Sequence, residues 1–160
     1  MLVSRCVSPA KARRYVDQTV IVVIAASFSL GAAMTKTGAA TEIAQWLIPD
    51  NNISPWLALA MVYLLTVAFT ESITNNAAAV LMFPIAMAVA EQLGVNFMPF
   101  AIAIMFAASA SFMTPLGYQT NLMVMGPGGY RMSDYLRLGA PLSLLVGATS
   151  ITLIPFIWGF

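Results

Sequence analysis

Apolar residues in this chain come in long blocks, without the narrow stripe of a soluble amphipathic helix or the alternation of a half-buried strand. The first block, residues 18–35, makes roughly 27 Å of helix, just enough for a hydrocarbon core of ~30 Å, and predicts a transmembrane helix. Residues 37–48 predict a short interfacial helix, with Glu42 and Gln45 on one side and Ile43, Trp46 and Leu47 on the other. Pro49, Asp50, Asn51 and Asn52 close it with turn chemistry.

The next two apolar runs, 55–70 and 77–90, amount to roughly 24 and 21 Å of helix, each short for a crossing. Between them lie Glu71, Ser72, Ile73, Thr74, Asn75 and Asn76. A surface turn between two short spans is one reading. A re-entrant hairpin over 55–93 with its polar tip inside the protein accounts for both lengths, because non-helical backbone is tolerated at depth where it lines a cavity. Residues 98–127 predict a broken transmembrane helix. Its first half carries small residues Ala103, Ala107, Ala110 and Ser111, and it is interrupted at 114–121 by Pro115 and Gly117. Residues 140–160 predict a last span.

Composition supports this reading: 60% of residues are hydrophobic and 8% charged, against roughly 25% charged in an ordinary soluble domain. The predicted fold class is therefore an all-α membrane protein. A net charge of +1 offers no basic face for nucleic acid. One cysteine, Cys6, and no histidine argue against a disulfide or a Cys/His zinc site, and no other cofactor is implied. The first seventeen residues lack the short core and small-residue cleavage site of a signal peptide. With Arg5, Lys11, Arg13 and Arg14 they read as a cytoplasmic linker, 1–17. The positive-inside rule then puts the amino terminus in the cytoplasm, with Arg131 and Arg137 on the same side and Lys36 outside.

The chemistry concentrates at the two interruptions, 70–76 and 114–121. A helix that restarts within the membrane presents unpaired N–H groups and a dipole that favours an anion, while carbonyl, hydroxyl and amide oxygens suit a small cation such as Na⁺. Two such breaks form the pattern of a secondary transporter's midplane site. Singly, each reads more simply as a kink or as helix-to-helix hydrogen bonding. Glu71, the ionisable residue of the deep segments, reads equally as a functional carboxylate or as a structural group bonded to N–H groups of its own hairpin tip. Tyr118 offers a hydroxyl or a stacking face. An intramembrane enzyme ranks last, because there is no histidine base and Ser109 and Ser111 have no evident partner.

The run Thr-Glu-Ser-Ile-Thr-Asn-Asn from Thr70, followed by Ala-Ala-Ala-Val-Leu-Met-Phe-Pro-Ile, resembles the hairpin tip and following helix of the divalent anion:sodium symporters of the ion transporter superfamily. The stretch 112–121 resembles their second unwound segment. Gly-Tyr-Gln-Thr-Asn from Gly117, with the later Gly-Pro-Gly-Gly-Tyr, is similar to the sulfate-permease branch, whose members often carry soluble domains in mid-chain. Asn76 departs from the family threonine, and Gly117 to Asn121 depart from the Ala-Thr-Pro-Pro-Asn of dicarboxylate carriers.

The resemblance implies one repeat of an inverted-repeat, elevator-type carrier. It implies substrate contacts from Thr74, Asn75, Asn76, Tyr118, Gln119, Thr120 and Asn121, and sodium near Thr70, Ile73, Asn75 and Gly117. The expected substrate is a small inorganic or dicarboxylate anion, sulfate first, with Na⁺ as coupling ion. A missing amino-terminal repeat, a carboxy-terminal fragment or truncated frame, a homodimer and a multi-pass place in the plasma (inner) membrane are further expectations. A non-transporting membrane subunit is the contrasting reading.

Overall fold

The computed structural model describes residues 18–48 and 53–160, and the side chains of residues 18–21, 23, 24, 27 and 119 are not among what it describes. The cationic linker 1–17, Cys6 and the turn at 49–52 lie outside the described residues. The chain is helical: α1 (Gln18–Thr37), α2 (Ala39–Leu47), α3 (Pro55–Ser72), α4 (Asn75–Leu93), α5 (Met98–Ser109), α6 (Gln119–Gly128) and α7 (Met132–Trp158).

The ends of these helices follow local chemistry. Ser54 accepts the Leu57 N–H at 3.4 Å and Pro55 opens α3, where its missing N–H is no loss. Gly94, at φ 63°, stops α4 in the left-handed conformation and returns its N–H to Ala90 and Glu91. Asp134 accepts the Arg131 N–H at 2.8 Å, so α7 starts at Met132, earlier than the apolar run at 140 predicts.

The hairpin differs from its expected dimensions. α3 and α4 have 18 and 19 residues, long and apolar enough to cross a membrane, as does the 27-residue α7. Polar Thr70, Glu71 and Ser72 extend α3, and Ser72 returns its hydroxyl to Ala68 O at 2.9 Å. Asn75 and Asn76 belong to the first turn of α4, capped by Thr74. The non-helical tip is thus only Ile73 and Thr74, and the shortness that favoured a re-entrant loop is not there. The second interruption also shifts. α5 ends at Ser109, residues 110–118 are non-helical, and Gln119, Thr120 and Asn121 form the first turn of α6.

α5 packs against α3 and α4, α7 against α3 and α5, and α1 and α2 cover α4. The interior is built largely of small side chains: Ala58, Ala78, Ala86, Ala90, Ala103 and Ala107 are all buried. Between helices whose outer surroundings are also apolar, close backbone approach and dispersion hold the bundle more than expulsion of water does. Ala110 and Ser111 continue that small, buried face into the break. Phe28, Leu144 and Phe156 point outward from the bundle, an apolar exterior that a bilayer would cover. In α2, Ala40, Ala44 and Leu47 face inward while Trp46 is exposed beside Gln45, correcting its expected place on the apolar side.

α7 gives a ruler for depth. Its far end meets the start of α3, with Trp56 and Phe156 ring centroids 5.7 Å apart, and the start of α5, with Phe100 and Phe160 6.2 Å apart. Near its beginning, Gly139 lies on the backbone of Phe112 and Met113 in the break. From Met132 to Gly139 α7 climbs roughly 10 Å, so it overshoots the break by about two turns. That overshoot carries Asp134 and Arg137.

A methyl at position 139 would overlap the Phe112 carbonyl, whereas one at Gly31 meets nothing within 4 Å. Gly139→Ala is expected to destabilise the protein by about 1–3 kcal/mol through overpacking, and Gly31→Ala to be neutral or mildly stabilising. Thermal unfolding of the two variants in detergent measures the difference.

Candidate functional site

An α-helix that ends leaves its last carbonyls, and one that restarts leaves its first amides, without helical partners. Both conditions occur twice within a few residues here, and the two breaks answer each other. The Ala108 carbonyl, orphaned by the end of α5, accepts the Thr70 hydroxyl of α3 at 2.7 Å. The Met113 N–H donates to Glu71 Oε1 at 2.9 Å, and the Ser111 hydroxyl donates to Glu71 Oε2 at 3.3 Å. The Glu71 carbonyl, in the last turn of α3, accepts the Thr114 hydroxyl at 2.9 Å. Thr70, Glu71 and Ser111 are buried.

The break itself follows from its sequence. Pro115 cannot continue an i to i−4 ladder and biases Thr114 away from helical backbone. Gly117 is buried so tightly that an added methyl would overlap Ser111 Oγ and the Thr70 carbonyl. Only a residue without a Cβ lets the two breaks approach this closely. α6 has no buried side chain among those described and is held by its first turn. Asn121 Nδ2 donates to the Ser111 carbonyl at 3.4 Å, and the Tyr135 hydroxyl of α7 donates to the Asn121 carbonyl at 2.9 Å. Asn121, Tyr135 and Phe112 line a cavity of about 350 Å³ between α6 and α7.

The residues expected at the site divide into two groups. Thr70 and Gly117 are buried and in contact, and Glu71 beside them binds the opposite break, not its own tip. Ile73, Thr74 and Asn76 are exposed at the tip of the hairpin, with Asn75 half-buried. Thr74 accepts the Ala77 N–H at 3.4 Å, and Asn75 Oδ1 accepts the Asn76 N–H at 2.7 Å, so these two side chains cap the start of α4. Tyr118 and Thr120 are exposed on the other side of the junction. Tyr118, at the start of α6, makes no side-chain cap, and the helix opens there without one.

Two features escaped the sequence reading. Ser111 has a partner after all, the Glu71 carboxylate 40 residues away, and no local spacing reveals it. Tyr135 falls in a loop by apolarity alone, and it becomes visible only once α7 begins at Met132.

The family model for citrate transporters matches residues 1–101. The chain belongs to the citrate transporter family. It is 41% identical to an uncharacterized transporter of Synechocystis over 160 residues, covering 99% of this chain and 26% of that protein. It is 34% identical to an uncharacterized transporter of Escherichia coli K12, covering 98% of this chain and 26% of the other. Sodium/sulfate cotransporter 2 of Chlamydomonas reinhardtii is 36% identical over 146 residues, 90% of this chain and 16% of that protein. The chain thus spans about a quarter or less of the length of these three relatives. Family membership and the three long apolar helices mark it as a membrane protein of a transporter family, in keeping with its resemblance to the divalent anion:sodium symporters.

Thr70→Val keeps the volume of the side chain and removes the donor to Ala108. It is expected to lower stability by about 1–3 kcal/mol, the cost of leaving a buried carbonyl unsatisfied. Thr149→Val, which removes only an exposed hydroxyl bonded within its own helix, should cost little. Unfolding midpoints in the same detergent compare them, and equal losses would contradict the assigned linkage.

Proposed function

We propose that this chain forms part of a sodium-coupled secondary carrier of a divalent anion, with sulfate as the first choice of substrate. The observation that carries the reading is the meeting of the two breaks. It sets the start of α4, capped by Thr74 and Asn75, and the start of α6, which has no side-chain cap, beside one polar junction, where helix dipoles favour an anion without Lys or Arg. Thr74, Asn75, Asn76, Tyr118, Gln119, Thr120 and Asn121 are the proposed substrate contacts. Sodium is assigned to the oxygens around Thr70, Ile73, Asn75 and Gly117, where the Thr70 carbonyl already borders Gly117. Bound cations would supply the positive charge that a dianion requires.

In this reading the hairpin is re-entrant. Its support is depth, not length: the tip joins the break between α5 and α6, and α7 runs about 10 Å past that level. The carrier is of the elevator type, with the other repeat and its hairpin supplied by the remainder of a longer polypeptide or by another chain. It lies in the inner membrane as a homodimer, with Arg131 and Arg137 on the cytoplasmic side. The names of the Chlamydomonas cotransporters support sulfate and sodium. The citrate transporter model favours a second reading, a carboxylate carrier.

The test is labelled-sulfate uptake into proteoliposomes, with and without a sodium gradient. The chain is assayed alone and also within the Synechocystis relative, replacing the segment it matches. The longer form is expected to take up sulfate only with sodium, and Asn75→Ala or Gln119→Ala to reduce uptake by about tenfold or more without loss of folded protein. Sodium-dependent uptake of labelled succinate or citrate with no sulfate uptake would replace sulfate by a carboxylate. Absence of sodium-dependent uptake of either class would sink the carrier proposal.

A further inference from the structure

Glu71 stands out because it uses all of its acceptors on one neighbour. It lies in the last turn of α3, only 8% exposed. One carboxylate oxygen accepts the Met113 N–H, the other the Ser111 hydroxyl, and the backbone carbonyl accepts the Thr114 hydroxyl. A single residue therefore holds positions 111, 113 and 114 of the opposite break, and the donors are neutral. The described cations Lys36, Arg131 and Arg137 are all exposed, outside this junction.

We infer that Glu71 is a positioning residue whose carboxylate clamps the second break onto the last turn of α3, and that this clamp keeps the Thr70 and Gly117 backbone together. The second clause rests on the carrier reading above, because that backbone is where the cation is assigned. Gly117 sits against both Ser111 Oγ and the Thr70 carbonyl, so displacing the Ser111 hydroxyl displaces Gly117 too. The geometry disfavours a role for the carboxylate as a cation ligand. If Glu71 turned away to ligate a cation, the part-buried Met113 N–H would lose its partner, and an unsatisfied amide is expensive there. The end of α3 and the second break consequently move as one body.

Glutamine separates a clamp from a charge. Its amide oxygen still accepts from Met113, and its NH₂ donates to the Ser111 hydroxyl, which accepts as readily as it donates. Glu71→Gln therefore keeps the clamp and removes the charge, whereas Glu71→Ala removes both. Hydrogen exchange of segment 110–118, followed by mass spectrometry on the chain in lipid nanodiscs, reads the clamp without any transport. Exchange there should rise about tenfold or more in Glu71→Ala and stay within roughly threefold of the parent in Glu71→Gln. Ser111→Ala and Thr114→Val remove one link each and should raise it by an intermediate amount, which keeps the test open if Glu71→Ala does not fold. In the longer form, the sodium concentration for half-maximal uptake should rise about tenfold in Glu71→Ala, and remain within roughly threefold in Glu71→Gln with maximal rate preserved.

Equal exchange in all variants, or a glutamine variant as impaired as alanine in exchange or sodium dependence, would overturn the clamp. If no form takes up anion while the exchange pattern holds, the carrier reading fails and the clamp stands.

Discussion

A helix that stops inside a bilayer exposes carbonyls and amides that water cannot reach, and each must find a partner within the protein. In this chain α3 and α5 end side by side in the interior of the bundle, and the fold brings the two ends together so that each satisfies the other. Ala108 O takes the Thr70 hydroxyl, Met113 N–H goes to Glu71, and Glu71 O takes the Thr114 hydroxyl. The junction is polar and largely buried, and the capping of α4 by Thr74 and Asn75 satisfies another helix end beside it.

The rest of the bundle serves this contact. Alanines along α3, α4 and α5 let the three helices approach closely, so that the end of α3 reaches the end of α5. Gly117 and Gly139 remove side chains where backbone must touch Thr70 on one side and α7 on the other. α6, by contrast, is anchored by hydrogen bonds at its first turn and by little else. Local stability follows buried contacts, so α6 is the element of the site with the least holding it in place.

The junction has two layers. Its inner layer, Thr70, Glu71, Ser111 and Gly117, is closed and cross-linked. Its outer layer, Thr74, Asn76, Tyr118 and Thr120, is open and uncommitted to other elements. In the proposed carrier the cation lies at the Thr70 and Gly117 backbone, beneath the anion. That arrangement lowers the electrostatic penalty of holding a dianion among neutral groups and gives the proposal its physical basis for coupling.

Much of this was legible in the amino-acid order. Block-like apolarity determined that the chain belongs in a membrane, and Pro115, Gly117 and the Thr-Glu-Ser-Ile-Thr-Asn-Asn run marked both breaks. Those signals are local: they depend on side-chain hydropathy and on backbone restrictions within a few residues. The lengths of the hairpin helices, the start of α7 and the place of Trp46 were misjudged, because polar residues such as Thr70, Ser72 and Asp134 can extend or cap a helix as readily as end it. The partner of Glu71 lay beyond any reading of spacing. A carboxylate in an apolar segment announces that it needs donors, but which donors depends on two breaks 40 residues apart arriving at one depth, and only the packing of α3 against α5 decides that.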